Sequence, residues 1–303
     1  MGQVLCKSDD DSIGRGLHHG ADRAPYQLRT ILKRGKTAEM KIFISADIEG
    51  VSGITSWEAT RYGGKGYEAA CRQMSLETAA ACRGALSCGY EVVVKDGHED
   101  AMNIDHTLLP KEAQLICGWT CSPLSMLGGL DDTFDGVIYI GYHSGAWTDT
   151  SPLKHTCEDH VYNWFKINGE FASEFTINSG VADQMGVPSL FLSGDAGICR
   201  AAEKEYPGIV TVPTKRGLGD ATWNLHPEKV VEDIEAAVSN VLSKPLPPAH
   251  PLADTYNMTV CYKEFQKAMS ASWFPGIEKI DDFTVSFNAD KPLELSRCRY
   301  FIG

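Results

Sequence analysis

No stretch of about twenty apolar residues occurs in this chain, so nothing in it reads as a membrane-spanning helix. Basic residues are scarce beside acidic ones: 28 Lys and Arg against 40 Asp and Glu, a formal net charge of -12 with no basic cluster. Nucleic-acid binding takes much of its affinity from cations on phosphates, so this balance argues against such a partner and against anionic membranes. The 10 cysteines include no CxxC pair, and no signal peptide accompanies them. They read as reduced, mostly buried thiols of a cytoplasmic protein. Repeats and low-complexity tracts are missing too.

Several catalytic patterns are also absent. Gly141-Tyr-His-Ser144-Gly145 sets its serine one position late for a GxSxG elbow. His98-Glu99 opens like HExxH, but Met102 stands where the second histidine belongs. His155-Thr-Cys-Glu158-Asp159-His160 misses the inverted HxxEH motif because Asp159 replaces a histidine. His155, Glu158 and His160 stay open as an alternative metal site, and Cys157 reads as structural. Gly63, Gly64 and Gly66 precede a helix but bring no Walker lysine or GxGxxG arrangement.

What is present is organised around Lys41-Ile-Phe-Ile-Ser-Ala-Asp47-Ile-Glu49-Gly50. Side chains two apart on an extended segment share a side, so Asp47 and Glu49 aim at one point beyond a strand's carboxyl end. Open α/β sheets place their ligands there. Two adjacent acids repel, and a divalent cation between them keeps both ionised. Residues 1–39 show no sustained periodicity and read as a flexible leader, an expression scar or an extension from an upstream start; His18 and His19 fall in this segment.

From Met40 strands and helices alternate, predicting an α/β fold with a mostly parallel sheet flanked by helices. The main domain runs over 40–243. Lys244-Pro-Leu-Pro-Pro-Ala-His-Pro251 follows as a Pro-rich linker, and 252–303 is expected to make a smaller α/β unit. The chemistry recurs at strand ends. The first expected strand delivers Asp47 and Glu49, the second Asp96-Gly97-His98, the third Gly141-Tyr142-His143. Imidazole and carboxylate together suit zinc, with manganese and cobalt as competitors.

Ser45-Ala-Asp47-Ile-Glu49-Gly50 resembles the SxDxEG signature of the D-aminopeptidase DppA family, the M55 metallopeptidases. Asp96-Gly-His98, the run from Ser125 to Phe134, Gly141-Tyr142-His143 and the Asn168-Gly-Glu170 turn leading to Glu174 match in the same order. The resemblance implies two zinc ions per subunit. Asp47 would bridge them, Glu49 and His98 would complete one site, and His143 and Glu174 the other. It places the family's catalytic histidine on His155. The chain departs from the family in having Gly97 where Ser is common and Phe175-Thr176 after Glu174 where smaller residues are usual.

Four positive charges against three carboxylates (Asp47, Glu49, Glu174) would leave the pair electropositive enough to bring a bridging water near neutral pKa. The implied activity is aminopeptidase hydrolysis of short peptides by a hydroxide shared between the metals. The substrates are expected to carry D-residues, as in D-Ala-containing di- and tripeptides. A two-metal phosphoesterase and a non-catalytic, metal-stabilised protein are the alternatives. The resemblance also implies a homo-oligomer, a decamer. For the substrate ammonium, Asp96, Glu99, Asp100 and Asp195 are candidates, with Asp195 equally placed to cap a helix; Trp57 and Asn103 are candidate pocket residues.

Overall fold

The structure, a computed structural model, describes residues 40–303. The segment expected to be a leader lies outside them. The strands are β1 (Lys41–Ala46), β2 (Glu91–Asp96), β3 (Gln114–Ile116), β4 (Gly136–Tyr142), β5 (Tyr162–Ile167), β6 (Glu170–Phe171), β7 (Ser189–Asp195), β8 (Val210–Leu218), β9 (Ala221–Asn224), β10 (Tyr256–Tyr262), β11 (Ile277–Lys279) and β12 (Thr284–Ala289). The α-helices are α1 (Tyr67–Ser87), α2 (Glu174–Gln184), α3 (Ala196–Glu205), α4 (Pro227–Leu242), α5 (Phe265–Ala271) and α6 (Pro292–Ile302).

Seven strands make the main sheet in the order β3-β2-β1-β4-β7-β8-β9, parallel throughout except for the antiparallel edge pair β8-β9. β1 lies near its middle and is covered on both sides, as parallel sheets require. Ile42, Ile44 and Ala46 join one core with α1 and α4, where Val230, Ile234 and Val238 recur at helical spacing. Phe43 points the other way, into a core shared with Phe175 and Val181 of α2 and Ile198 and Ala202 of α3. The chain runs outward from β1 through β2 to β3, then returns to β1's other side as β4. A switch point therefore opens between β1 and β4 at the strands' carboxyl ends, where such sheets bind ligands.

The second sheet is antiparallel, in the order β11-β12-β10-β5-β6. Residues 252–303 thus share their sheet with the 162–171 hairpin, because β10 pairs along β5 with Val260 opposite Phe165. Val260, Val285, Leu295 and Cys298 build its core, which Ile177 of α2 also enters. The Pro-rich segment is fastened at its end: the His250 backbone N–H donates to Asp183 (2.8 Å), and its ring stacks on Tyr206 at 3.5 Å.

Candidate metal centre

β1 is hydrogen-bonded between β2 and β4, so the three segments leaving their carboxyl ends emerge side by side. Asp47 donates its backbone N–H to Ile140 O and Gly50 to Gly141 O, both at 2.8 Å, so the loop after β1 lies against the end of β4. That contact needs glycine on both sides. A Cβ on Gly50 would lie 1.8 Å from Tyr142 O, and one on Gly141, whose φ is +70°, would lie 2.2 Å from Asp47 O.

Five expected ligands converge. His98 Nδ1 is 3.3 Å from Asp47 Oδ1 and 3.2 Å from Glu49 Oε2. His143 Nε2 is 3.4 Å from Asp47 Oδ2 and 3.5 Å from Glu174 Oε1. Asp47 thus turns one oxygen to each histidine. His155 is brought in as well: its ring stacks on His143 with centroids 4.0 Å apart, and its Nε2 is 3.6 Å from Glu174 Oε1. Two three-residue groups with metal-ligand geometry result, Asp47-Glu49-His98 and His143-His155-Glu174. Glu174 opens α2, whose N-terminus is closed by a capping box between Ser173 and Thr176.

Each histidine holds a main-chain carbonyl with its other nitrogen. His98 Nε2 lies 2.6 Å from Thr60 O, His143 Nδ1 lies 3.1 Å from Ser144 O, and His155 Nδ1 lies 3.0 Å from Leu153 O. A carbonyl only accepts, so in the neutral ring the proton sits on that outer nitrogen and a lone pair faces the cluster. Asp47 Oδ2, Glu49 Oε2 and His143 Nε2 are buried without a hydrogen-bond partner. Buried polar atoms are rarely left so. Three carboxylates and inward lone pairs form a donor set that fits divalent zinc.

The charges strain against one another. Burial, then Glu49 alongside, pushes Asp47 up to about 8. Burial works against ionising Glu49, yet His98 holds it well below the usual carboxylate range. Burial also opposes a charge on His143, but Glu174 and Asp47 push it up to about 10. His155 goes the other way: burial, then its neighbour His143, lowers it. The acids draw protons onto two of the imidazoles and leave the third neutral.

The other candidates divide. Asp96 accepts from the backbone N–H groups of Asn103 (2.6 Å) and Ile104 (2.8 Å) and from the Asn103 amide, so it is spent on the His98 loop, as is Asn103. Asp195 caps α3 through Gly197 and Ile198 and accepts from Ser144 as well, which fixes the chain just beyond His143. Asp100 accepts from Met102 N–H. Trp57 and Glu99 line the cleft over the cluster, Trp57 with its ring edge-on to His155. His160 lies on the exposed rim, paired with Asp159, and stands outside both ligand groups.

Two buried lysines escaped the sequence reading. Lys215 of β8 donates to the carbonyls of Glu49 (2.5 Å), Val51 (3.0 Å) and Ile54, tying down the loop that carries Asp47 and Glu49. Lys95 of β2 donates to the carbonyls of Asp96 and of Gly118 (2.9 Å) beneath the His98 loop. A lysine inside a strand run was their only signal.

The D-aminopeptidase family (peptidase M55) matches residues 40–300. The D-aminopeptidase of Bacillus subtilis strain 168 is 32% identical over 264 residues, spanning 84% of this chain and 93% of its own. A solved structure, described as the Zn-dependent D-aminopeptidase DppA from Bacillus subtilis, a self-compartmentalizing protease, superposes with a TM-score of 0.81 at 29% identity over 87% of this chain and 96% of that one. The chain belongs to the M55 D-aminopeptidase family.

Proposed function

We propose that this protein is a zinc aminopeptidase with two ions per subunit, acting on short peptides that begin with a D-residue such as D-Ala. The observation that carries the reading is Asp47, whose two oxygens face the separate imidazoles of His98 and His143. Asp47, Glu49 and His98 would hold one ion, and Asp47, His143 and Glu174 the other. Zinc bound there supplies Lewis acidity toward an amide carbonyl and lowers the pKa of water.

The chain's own residues do the rest. His155 is buried and neutral, with its unprotonated Nε2 turned to the cluster and its ring fixed by Leu153 O and His143. It takes a proton from the attacking water and returns it to the departing amine. Trp57 closes the same wall and limits solvent around the ring. The cleft has a volume of about 830 Å³, the scale of a small-peptide site rather than of a folded chain.

A homo-oligomer, a decamer as in the family resemblance, accords with the exposed aromatic surface. Trp147, 63% exposed, stacks on Phe171, and Trp273 is 82% exposed. Native mass spectrometry reads the assembly directly, and a monomer would refute it. The His155→Ala variant tests the chemistry. Peptide hydrolysis should fall by about a hundredfold or more while two zinc ions per subunit are retained. Loss of one zinc along with activity would make His155 a ligand instead.

A further inference from the structure

Two arginines line the cleft, and they differ in what they already hold. Arg61 is paired with Asp159 at 2.8 Å and lies over the Trp57 ring. Arg299, on α6, makes no such ion pair, and its Nε is buried without a hydrogen-bond partner among the described residues. A guanidinium offers five N–H groups in a planar fork matched to a carboxylate. Leaving the buried Nε of that fork without a partner is costly, since unmade hydrogen bonds to charged groups are costlier than neutral ones.

Its neighbours show where the fork sits. Arg299 is surrounded by Cys157, Tyr162, Glu174 and Glu158. The Cys157 thiol lies against the guanidinium, while the Cys157 backbone N–H donates to Glu174 Oε1 at 2.7 Å. Cys157 holds an unusual φ of +66°, a conformation that turns its N–H and its side chain toward these two groups at once. A single residue therefore separates Arg299 from a ligand of the cluster. In a dipeptide the terminal carboxylate lies only about 3.5 Å beyond the bond to be cut, so its partner must stand on the wall close to the cluster, as Arg299 does. With the carboxylate of Glu174 taken up by the metal centre, Glu158 is the acid left beside Arg299, and among the described residues it makes no ion pair with the guanidinium, so the fork stays open to the substrate.

We infer that Arg299 binds the free α-carboxylate of the substrate, so that this enzyme favours peptides with an unblocked carboxyl end, dipeptides first. The inference rests on the aminopeptidase reading and names the substrate class of the same site. The test uses the zinc-loaded full chain, its Arg299→Ala and Arg299→Lys variants, and two probes: D-Ala-D-Ala and its C-terminal amide. The parent should prefer the acid through KM, and Arg299→Ala should raise KM for the acid by about tenfold or more, collapsing the preference. Arg299→Lys should restore part of it, since it keeps the charge but not the fork. Zinc content should not change. An equal loss on both probes, or a parent that treats acid and amide alike, overturns the inference while leaving the peptidase reading intact. Should the parent cleave neither probe, that reading fails, and calorimetry of the two probes still decides the role of Arg299: tighter binding of the acid, lost in Arg299→Ala, supports it and equal binding refutes it.

Discussion

Lys215 and Glu77 show how much the centre depends on groups that never meet a metal. Glu77 of α1 is buried, accepts from Ser52 N–H at 3.0 Å, and lies close enough to Lys215 for the two charges to interact. Burial pushes Glu77 up to about 7, and burial lowers Lys215 to about 8. The folded protein then holds more protons than the unfolded chain between about pH 4.5 and 7, and fewer between about 8 and 10.5. Stability rises with pH only where the unfolded chain binds more protons. The contribution of these two groups should therefore fall on the way from pH 4.5 to 7 and recover from 8 to 10.5, each limb worth about 3 kcal/mol at most. Chemical denaturation across this range reads both limbs. Glu77→Gln should erase the first limb; an unchanged slope would show that Glu77 titrates normally.

Among the elements, the loop between β1 and α1 decides the geometry, and two of its glycines should behave oppositely. Gly50 has no room for a side chain, whereas Gly53, at φ +85°, faces open space. Gly50→Ala should displace Asp47 and Glu49 and cut hydrolysis by about a hundredfold, the usual result of misplacing a catalytic group by about an ångström. Gly53→Ala should cost only backbone strain, about 1 kcal/mol, with zinc content unchanged. Metal analysis and peptide turnover on both variants separate the two. This loop also shows what the sequence made readable. Asp47, Glu49, His98 and His143 could be found because strand periodicity puts each just past a carboxyl end, and parallel pairing brings those ends together. Glu174 and His155 came from family resemblance, since neither follows a strand of the main sheet. Lys215 was invisible because its partners are backbone carbonyls, which no residue pattern spells out. β9 and β11 carry no sequence signal for a related reason: each is a short edge strand of no more than four residues, with too few positions to show alternation.

At the scale of the whole molecule, three buried carboxylates in one cluster oppose folding until a cation joins them. Chelation should lower the midpoint of thermal unfolding, and zinc at a thousandfold excess over its dissociation constant should restore about 4 kcal/mol. Because His143 and Asp47 carry raised pKa values without metal, zinc binding should expel protons and tighten as pH rises. Calorimetry in buffers of different ionisation heat measures that release; zero release would mean that the donors are already bare. The two sheets add a temporal consequence. Phe165 waits for Val260, and the cleft wall waits for Arg299 of α6, which is made long after Glu174. A polypeptide made only as far as α4 has the cation donors but neither the finished second sheet nor the α6 wall. We expect nascent chains of this protein stalled before β10 to be inert toward peptides, with cleavage beginning only once the second sheet and α6 close the cleft, so that the half-made protease is harmless to the chains being made around it.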